Sequence, residues 1–190
     1  VRSIDPQYVF HLAAQSYPTT SFTSPRDTYE TNIIGTSNLL EAVYRNSPDA
    51  LVHVCASSEV FGRVSQADLP IKEECRFHPA SPYAISKVGT DLIGRFYHEA
   101  YGLAVQTTRM FTHTGPRRGD VFVESNFAKQ IAFIEAGKLE PVVHVGNLAS
   151  MRTWCDVRDA VRAYHLLLTH NPQPGATYNI GGDFSCKVSS

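Results

Sequence analysis

Nowhere does the sequence reach the roughly 18 consecutive apolar residues that a bilayer-spanning helix needs. Its opening, VRSIDPQYVFHL, also lacks the basic, apolar and small-residue order of a secretory signal. No membrane partner is therefore expected. Charge of one sign is equally scarce: 17 Lys and Arg stand against 18 Asp and Glu, a net charge of -1, spread without a basic stripe. That balance predicts no nucleic-acid partner. Cysteine is sparse, and Cys55, Cys75, Cys155 and Cys186 form no C-x-x-C pair. Scattered thiols of this kind read as reduced side chains of a cytoplasmic protein, not as a disulfide framework or a zinc site. The eight histidines show no H-x-x-x-H or mixed Cys/His spacing, so no metal is predicted. A G-x-S-x-G nucleophile turn is missing, which removes the obvious hydrolase reading. Missing too is the Gly-rich turn that sets a pyrophosphate on a helix N-terminus.

What is present is an alternation. Tyr8-Val9-Phe10-His11-Leu12-Ala13-Ala14 is bulky at its start and small at its end, the pattern of a buried parallel strand feeding a tight, ligand-facing turn. Residues 15–26 are rich in Thr, Ser and Pro and predict a loop. Over 28–45, Ile33, Ile34, Leu39, Leu40, Ala42 and Val43 recur at helical spacing, and Asn46-Ser47-Pro48 stops the helix. A second strand follows over 51–56, a helix over 81–101 ended by Gly102, and a third strand over 103–111. Beyond Gly115-Pro116 the pattern predicts a helix over 126–137, a short strand over 141–145, a helix over 157–169 and a strand at Tyr178-Asn179-Ile180. The fold class expected is α/β: a doubly wound, parallel, Rossmann-type sheet that is N-terminally truncated, with a smaller mixed α/β substrate-binding part. The boundary is placed near Gly115, with 1–115 as the sheet domain and 116–190 as the partial substrate region. The stretch from Ser185 onward is polar, and the sequence reads as a fragment at both ends.

The sharpest chemical signal is Tyr83-Ala84-Ile85-Ser86-Lys87. Four residues of separation on a helix put the phenol and the ammonium on one face, one turn apart. An adjacent ammonium favours the phenolate, which can then exchange a proton with a sugar hydroxyl or carbonyl. Many helices carry that spacing as a plain surface pair, so context decides. Ala56-Ser57-Ser58-Glu59-Val60-Phe61-Gly62 precedes the helix by about one crossover, as suits a catalytic loop at the carboxyl end of a sheet. Ser57 can hydrogen-bond a reacting oxygen, and Glu59 offers a carboxylate for acid/base work. The alternative is an ordinary N-cap at Ser57 or Ser58 and a solvated charge at Glu59.

Five motifs in order, HLAAQS, SSEVFG, SPYAISK, RMFTHTGPRRG and VGNL followed by Arg152 and DVRDAVRAY, resemble the extended short-chain dehydrogenases acting on nucleotide sugars. The nearest members are the GDP-mannose 4,6-dehydratases and the related GDP-4-keto-6-deoxymannose reductases, and the resemblance covers essentially the whole chain. It implies a Ser57, Tyr83 and Lys87 triad, with Tyr83 as acid/base at the sugar C4 oxygen, Ser57 its polarising partner and Lys87 the holder of the nicotinamide ribose. Leu12, Ala13, Ala14, Gln15 and Ser16 match the turn along the cofactor. His113 and Arg118 match dehydratase positions that touch NADP, the arginine reaching across a subunit interface. Ser58, Thr112, Asn126, Lys129 and Arg152 fall where the family binds the nucleotide sugar. Three features depart from the dehydratases: Thr112 for Asn, Ser57 for Thr, which keeps the hydroxyl, and a missing Tyr-like side chain near Asp27. The cofactor implied is NADP, with NAD as the alternative, and the substrate a nucleotide sugar, GDP-mannose first. Glu59 would be the base at sugar C5 in a dehydratase. A reductase or 4-epimerase needs the triad alone, and a decayed binding module would need none of it. Pairing through helices 28–45 and 81–101 implies a homodimer or homotetramer. The piece alone, without the Gly-rich turn, is expected to be inactive.

Overall fold

The computed structural model describes residues 1–189. The chain divides into two compact units, Val1–Phe111 with Val161–Ile180, and Thr112–Ala160 with the residues from Gly181 onward.

The first unit is built on four strands, β1 (Tyr8–His11), β2 (Leu51–Cys55), β3 (Val105–Met110) and β6 (Thr177–Ile180), in the order β1-β2-β3-β6. Every pair is parallel. Val52 and Val54 of β2 and Val105 of β3 are buried against Leu40, Val43, Tyr97 and Leu103, as expected of parallel strands covered by helices. The strand expected at Tyr178-Asn179-Ile180 forms here, with Thr177 added, and pairs with β3 at Thr107↔Thr177. Strand β3 is buried along its whole length although it reads V-Q-T-T-R-M. Its polar side chains have partners elsewhere in the chain: Thr108 Oγ1 pairs with His53 Nε2 at 2.8 Å, and Arg109 with Asp91. Satisfied polar groups can be buried at little cost; orphaned ones cannot.

The expected loop over 15–26 is corrected by two short helices, α1 (Pro18–Thr23) and α2 (Pro25–Tyr29). Each begins on a proline, whose fixed φ and missing N–H suit the first helical position, so these prolines start helices instead of breaking them. A π-helical stretch, Glu30–Ile34, continues into α3 (Gly35–Asn46). The helix expected over 81–101 is α4 (Pro82–Tyr101). Ser81 caps it, its Oγ accepting from the Ala84 N–H at 3.0 Å, and Gly102 ends it in the left-handed region at φ +70°. Helix α6 (Val157–Thr169) brings Tyr164 and Leu168 into the core of this unit.

The second unit holds β4 (His113–Thr114), α5 (Val123–Glu135), β5 (Met151–Asp156) and β7 (Phe184–Lys187). Strand β5 is central, parallel to β4 and antiparallel to β7. The strand expected over 141–145 does not form. The Gln130 side chain takes both backbone groups of His144, accepting from its N–H at 2.7 Å and donating to its carbonyl at 2.9 Å, so the segment pairs with a helix side chain instead of a sheet. Among the described residues no helix is long and apolar enough to cross a membrane, and no His, Cys, Asp and Glu cluster could hold a metal ion.

Candidate active site

The carboxyl end of β2 organises the site in the first unit. Two residues past Cys55, Ser57 is 7% exposed, and its Oγ accepts from the Glu59 N–H at 3.2 Å. That bond caps a short 3₁₀ helix, Ser58–Phe61, which leaves Ser58 half-buried and Glu59 exposed. Gly62 then turns the chain at φ +59°, and a Cβ there would lie 1.8 Å from the His78 carbonyl oxygen. Only glycine fits a turn that is both left-handed and so closely approached.

Helix α4 starts beside this turn. Tyr83 and Lys87 lie one turn apart on its buried face, at 9% and 5% exposure. Lys87 Nζ donates to the Cys55 carbonyl at 2.7 Å and stands 6.0 Å from the Tyr83 ring centre. Burial lowers the Lys87 pKa, with Cys55 acting in the opposite sense. An ammonium has three donors, so the strand end that aims Lys87 leaves two of them for a ligand. Ser57, Tyr83 and Lys87 therefore converge on one strand end, with Glu59 on the adjoining turn.

The turn after β1 is fastened to α4 by a residue that local pattern did not reveal. Asn32, 1% exposed in the π-helical stretch, accepts from the Gln15 N–H at 2.8 Å and donates to the Gln15 carbonyl at 2.9 Å and to Ser86 Oγ at 2.8 Å. Its own carbonyl accepts from Thr90 Oγ1 at 3.1 Å. Ser86 lies on α4 between Tyr83 and Lys87, so one amide joins Gln15 to the helix of the Tyr/Lys pair. The one clue was a polar side chain beside the apolar Ile33-Ile34, inside a π-helical stretch of the kind that gathers at functional sites. Around Gln15, Leu12, Ala13 and Ser16 are exposed and Ala14 half-buried. His11, paired with Thr36 Oγ1 at 2.8 Å, has its pKa lowered, mainly by burial and further by the Lys87 charge.

The remaining predicted residues belong to the second unit. Asn126 and Arg152 line one cavity of about 310 Å³ together with Phe127, His144 and Asn147. Asn126 Oδ1 accepts from Gln130 Nε2 at 2.6 Å, and the Arg152 guanidinium donates to the Met151 carbonyl at 2.8 Å and is otherwise exposed. Lys129 instead pairs with Asp120 at 2.6 Å. The Thr112 backbone carbonyl accepts from the Cys155 N–H at 3.1 Å, and His113 lies opposite Cys155 in the β4–β5 ladder. Arg118 packs its guanidinium 3.6 Å from the Phe122 ring centre, with Glu124 at 3.1 Å. It folds back on its own unit, beside Arg117, which holds φ +70°.

A parallel sheet whose second strand ends two residues before a buried serine, followed by a helix carrying Tyr and Lys one turn apart, is the arrangement of an extended short-chain dehydrogenase/reductase. Within that class, the family model described as GDP-mannose 4,6 dehydratase matches residues 1–189, and the chain belongs to that family. It is 37% identical over 175 residues to a GDP-6-deoxy-D-mannose reductase from Pseudomonas aeruginosa, covering 92% of this chain and 57% of the relative. A GDP-mannose 4,6-dehydratase from Yersinia enterocolitica is 36% identical over 170 residues, covering 88% of this chain and 45% of the relative. The solved structure of RMD from Pseudomonas aeruginosa complexed with NADPH superposes with a TM-score of 0.92 at 35% identity, covering 97% of this chain and 62% of that one. The chain spans about half the length of the curated relatives it matches.

Proposed function

We propose that the protein carrying this chain is an NADP-dependent 4,6-dehydratase that converts GDP-mannose to GDP-4-keto-6-deoxymannose. The observation that carries this reading is the exposed Glu59 carboxylate on the turn capped by Ser57, a turn that packs against the helix of the buried Tyr83 and Lys87. A triad alone suffices for oxidation and reduction at C4; a carboxylate next to it serves elimination.

The residues fit a nicotinamide nucleotide. Lys87 has two N–H groups left for ribose hydroxyls, and the exposed Leu12 and Ala13, on the turn that Gln15 anchors, offer an apolar surface. NAD is the alternative occupant. When bound, the cofactor supplies a hydride acceptor for C4 and a donor for C6. Tyr83 takes the C4 hydroxyl proton while Ser57 holds the C4 oxygen and Lys87 keeps a positive charge near the phenol. The resulting 4-keto group acidifies C5. Glu59 removes the C5 proton and can hand it to the departing C6 hydroxyl, which leaves as water. Tyr83 returns its proton to C5, so one water is lost and no net redox change remains. Residues up to Gly115 would serve cofactor and chemistry. Those from Pro116 on would serve the nucleotide sugar, with Asn126 and Arg152 in the second-unit cavity and Ser58, Thr112 and Lys129 as further contacts. A guanidinium fork such as that of Arg152 suits a diphosphate. His113 and Arg118 would touch NADP, which requires Arg118 to leave Phe122 and Glu124.

The exposed apolar side chains Ile34, Ile85, Leu92 and Phe96, at 53%, 45%, 48% and 51% exposure, favour a homodimer through the π-helical stretch and α4, with a homotetramer built from two such pairs. The free cysteines suit a reducing, cytoplasmic setting.

A reductase that delivers hydride from NAD(P)H to a 4-keto sugar is the second reading, favoured by the TM-score of 0.92 to the RMD structure. Full-length protein incubated with GDP-mannose and catalytic NADP, followed by mass spectrometry, separates the two. Loss of one water without net cofactor consumption is the expected result. No change there, but NAD(P)H oxidation with the 4-keto-6-deoxy sugar, overturns the dehydratase reading in favour of the reductase.

A further inference from the structure

We infer that Arg109 is a positioning residue for the elimination half of the reaction, holding the turn that carries Glu59; this rests on the dehydratase reading above. Arg109, on β3, is 2% exposed and its partner Asp91, on α4, is fully buried. The two make a forked pair, Nε to Oδ2 at 2.7 Å and Nη2 to Oδ1 at 3.3 Å. The remaining nitrogen, Nη1, donates to the Glu73 carbonyl at 2.7 Å. The guanidinium plane lies 4.7 Å from the Phe77 ring centre and 5.4 Å from that of Phe61. Phe61, 1% exposed, is the last residue of the turn bearing Glu59, and Asp91 lies one helical turn beyond Lys87.

One buried cation thus joins the helix of Tyr83 and Lys87, the turn of Glu59, and the segment around Glu73 that links them. That segment is fastened a second time. Glu73 Oε1 accepts from the Asn179 N–H at 2.7 Å, and Asn179 Nδ2 donates to the Ile71 carbonyl at 3.0 Å. For stability alone, apolar side chains of equal volume would serve as well or better at such a position. What the fork and the stacked plane add is orientation, which a lysine's compact ammonium cannot reproduce. Displacing a reacting group by about 1 Å can slow a step about 100-fold.

The test compares full-length wild type with Arg109→Lys and Phe61→Leu. Lysine keeps the charge, and Asp91 retains Arg95 at 3.0 Å; leucine leaves the ion pair whole but loosens the seat of the turn. Single-turnover mixing with GDP-mannose follows reduced nicotinamide by absorbance and water loss by mass spectrometry. In both variants steady-state kcat for water loss falls at least about 10-fold while KM stays within about 3-fold, and in the single turnover reduced nicotinamide accumulates because C4 oxidation outruns elimination. If the folded Arg109→Lys protein loses water at the wild-type rate, or slows with no accumulation and only in proportion to its unfolded fraction, the positioning role is wrong. If wild type itself removes no water from GDP-mannose, the dehydratase reading has failed and takes this inference with it; a normal wild type with an unaffected variant refutes the inference alone.

Discussion

His53 makes the stability of the protein depend on pH in a way that can be worked out in advance. It lies in the middle of β2, fully buried, its Nε2 paired with Thr108 at 2.8 Å and its ring stacked 4.4 Å from that of Tyr164. Its Nδ1 finds no hydrogen-bond partner among the described residues. Burial, helped by the charges of His11 and Lys87, lowers its pKa from 6.5 to about 4. Because the folded pKa lies below the unfolded one, the neutral imidazole stabilises the fold above about pH 6.5, and that stability drains away as pH falls towards 4. The gap between 6.5 and about 4, at about 1.4 kcal/mol per pH unit, amounts to ~3 kcal/mol, of which about 2 is gone by about pH 5. Replacing His53 by Phe keeps a ring against Tyr164 and abolishes the titration, but strands Thr108 Oγ1 at a cost of about 1–2 kcal/mol. Urea unfolding followed by far-UV circular dichroism should therefore rank wild type above His53→Phe near pH 7.5, with the order lost or reversed near pH 5. His11, whose pKa is also lowered, titrates in both proteins. The same offset between the two proteins at both pH values would refute the reasoning.

Three further outcomes follow from the site. Tyr83→Phe should lower kcat by about 100-fold or more, the usual scale for a lost acid/base group; a lower urea midpoint with unchanged kcat would assign the phenol to packing. Gly62→Ala forces a Cβ to within 1.8 Å of the His78 carbonyl at a φ of +59°, so calorimetry should show a loss of roughly 2 kcal/mol or more together with lower activity. Asn32→Asp removes both donations, to Gln15 and to Ser86, and should weaken NADP binding at least about 5-fold by fluorescence titration; unchanged affinity would mean that the Gln15 turn holds itself.

The parts of the fold that were legible are those written in neighbouring residues. Helix α4 announces itself by a Ser-Pro start, an apolar period and a terminal glycine, and the Tyr83–Lys87 pair is visible because helical geometry alone puts i and i+4 on one face. Ser57 could be placed because a strand visibly ends just before it. What stayed hidden depends on partners far along the chain. Asn32 acts on residues 17 and 54 positions away, and no local period encodes that. The buried Gln-Thr-Thr-Arg of β3 looks like surface until His53 and Asp91 are brought to it. Pro18 and Pro25 carry a local signal that points both ways, to a loop or to a helix start, and tertiary packing selects the second. The apolar run over 141–145 has strand propensity, but propensity counts for little once a glutamine side chain has taken its backbone groups.

Strands β3 and β6 are neighbours in the sheet, yet residues 112–160 intervene between them in the chain, and the chain passes to the second unit once more after Ile180. A protein engineer exchanging the second unit with that of a relative therefore cannot do so at one splice. Two segments would have to be transplanted together, with the block from Val161 to Ile180 left native between them so that the sheet edge on β3 stays closed. Single-crossover recombination, in the laboratory or in a genome, would instead mix halves of two different second units, and the β5–β7 ladder would be the first casualty.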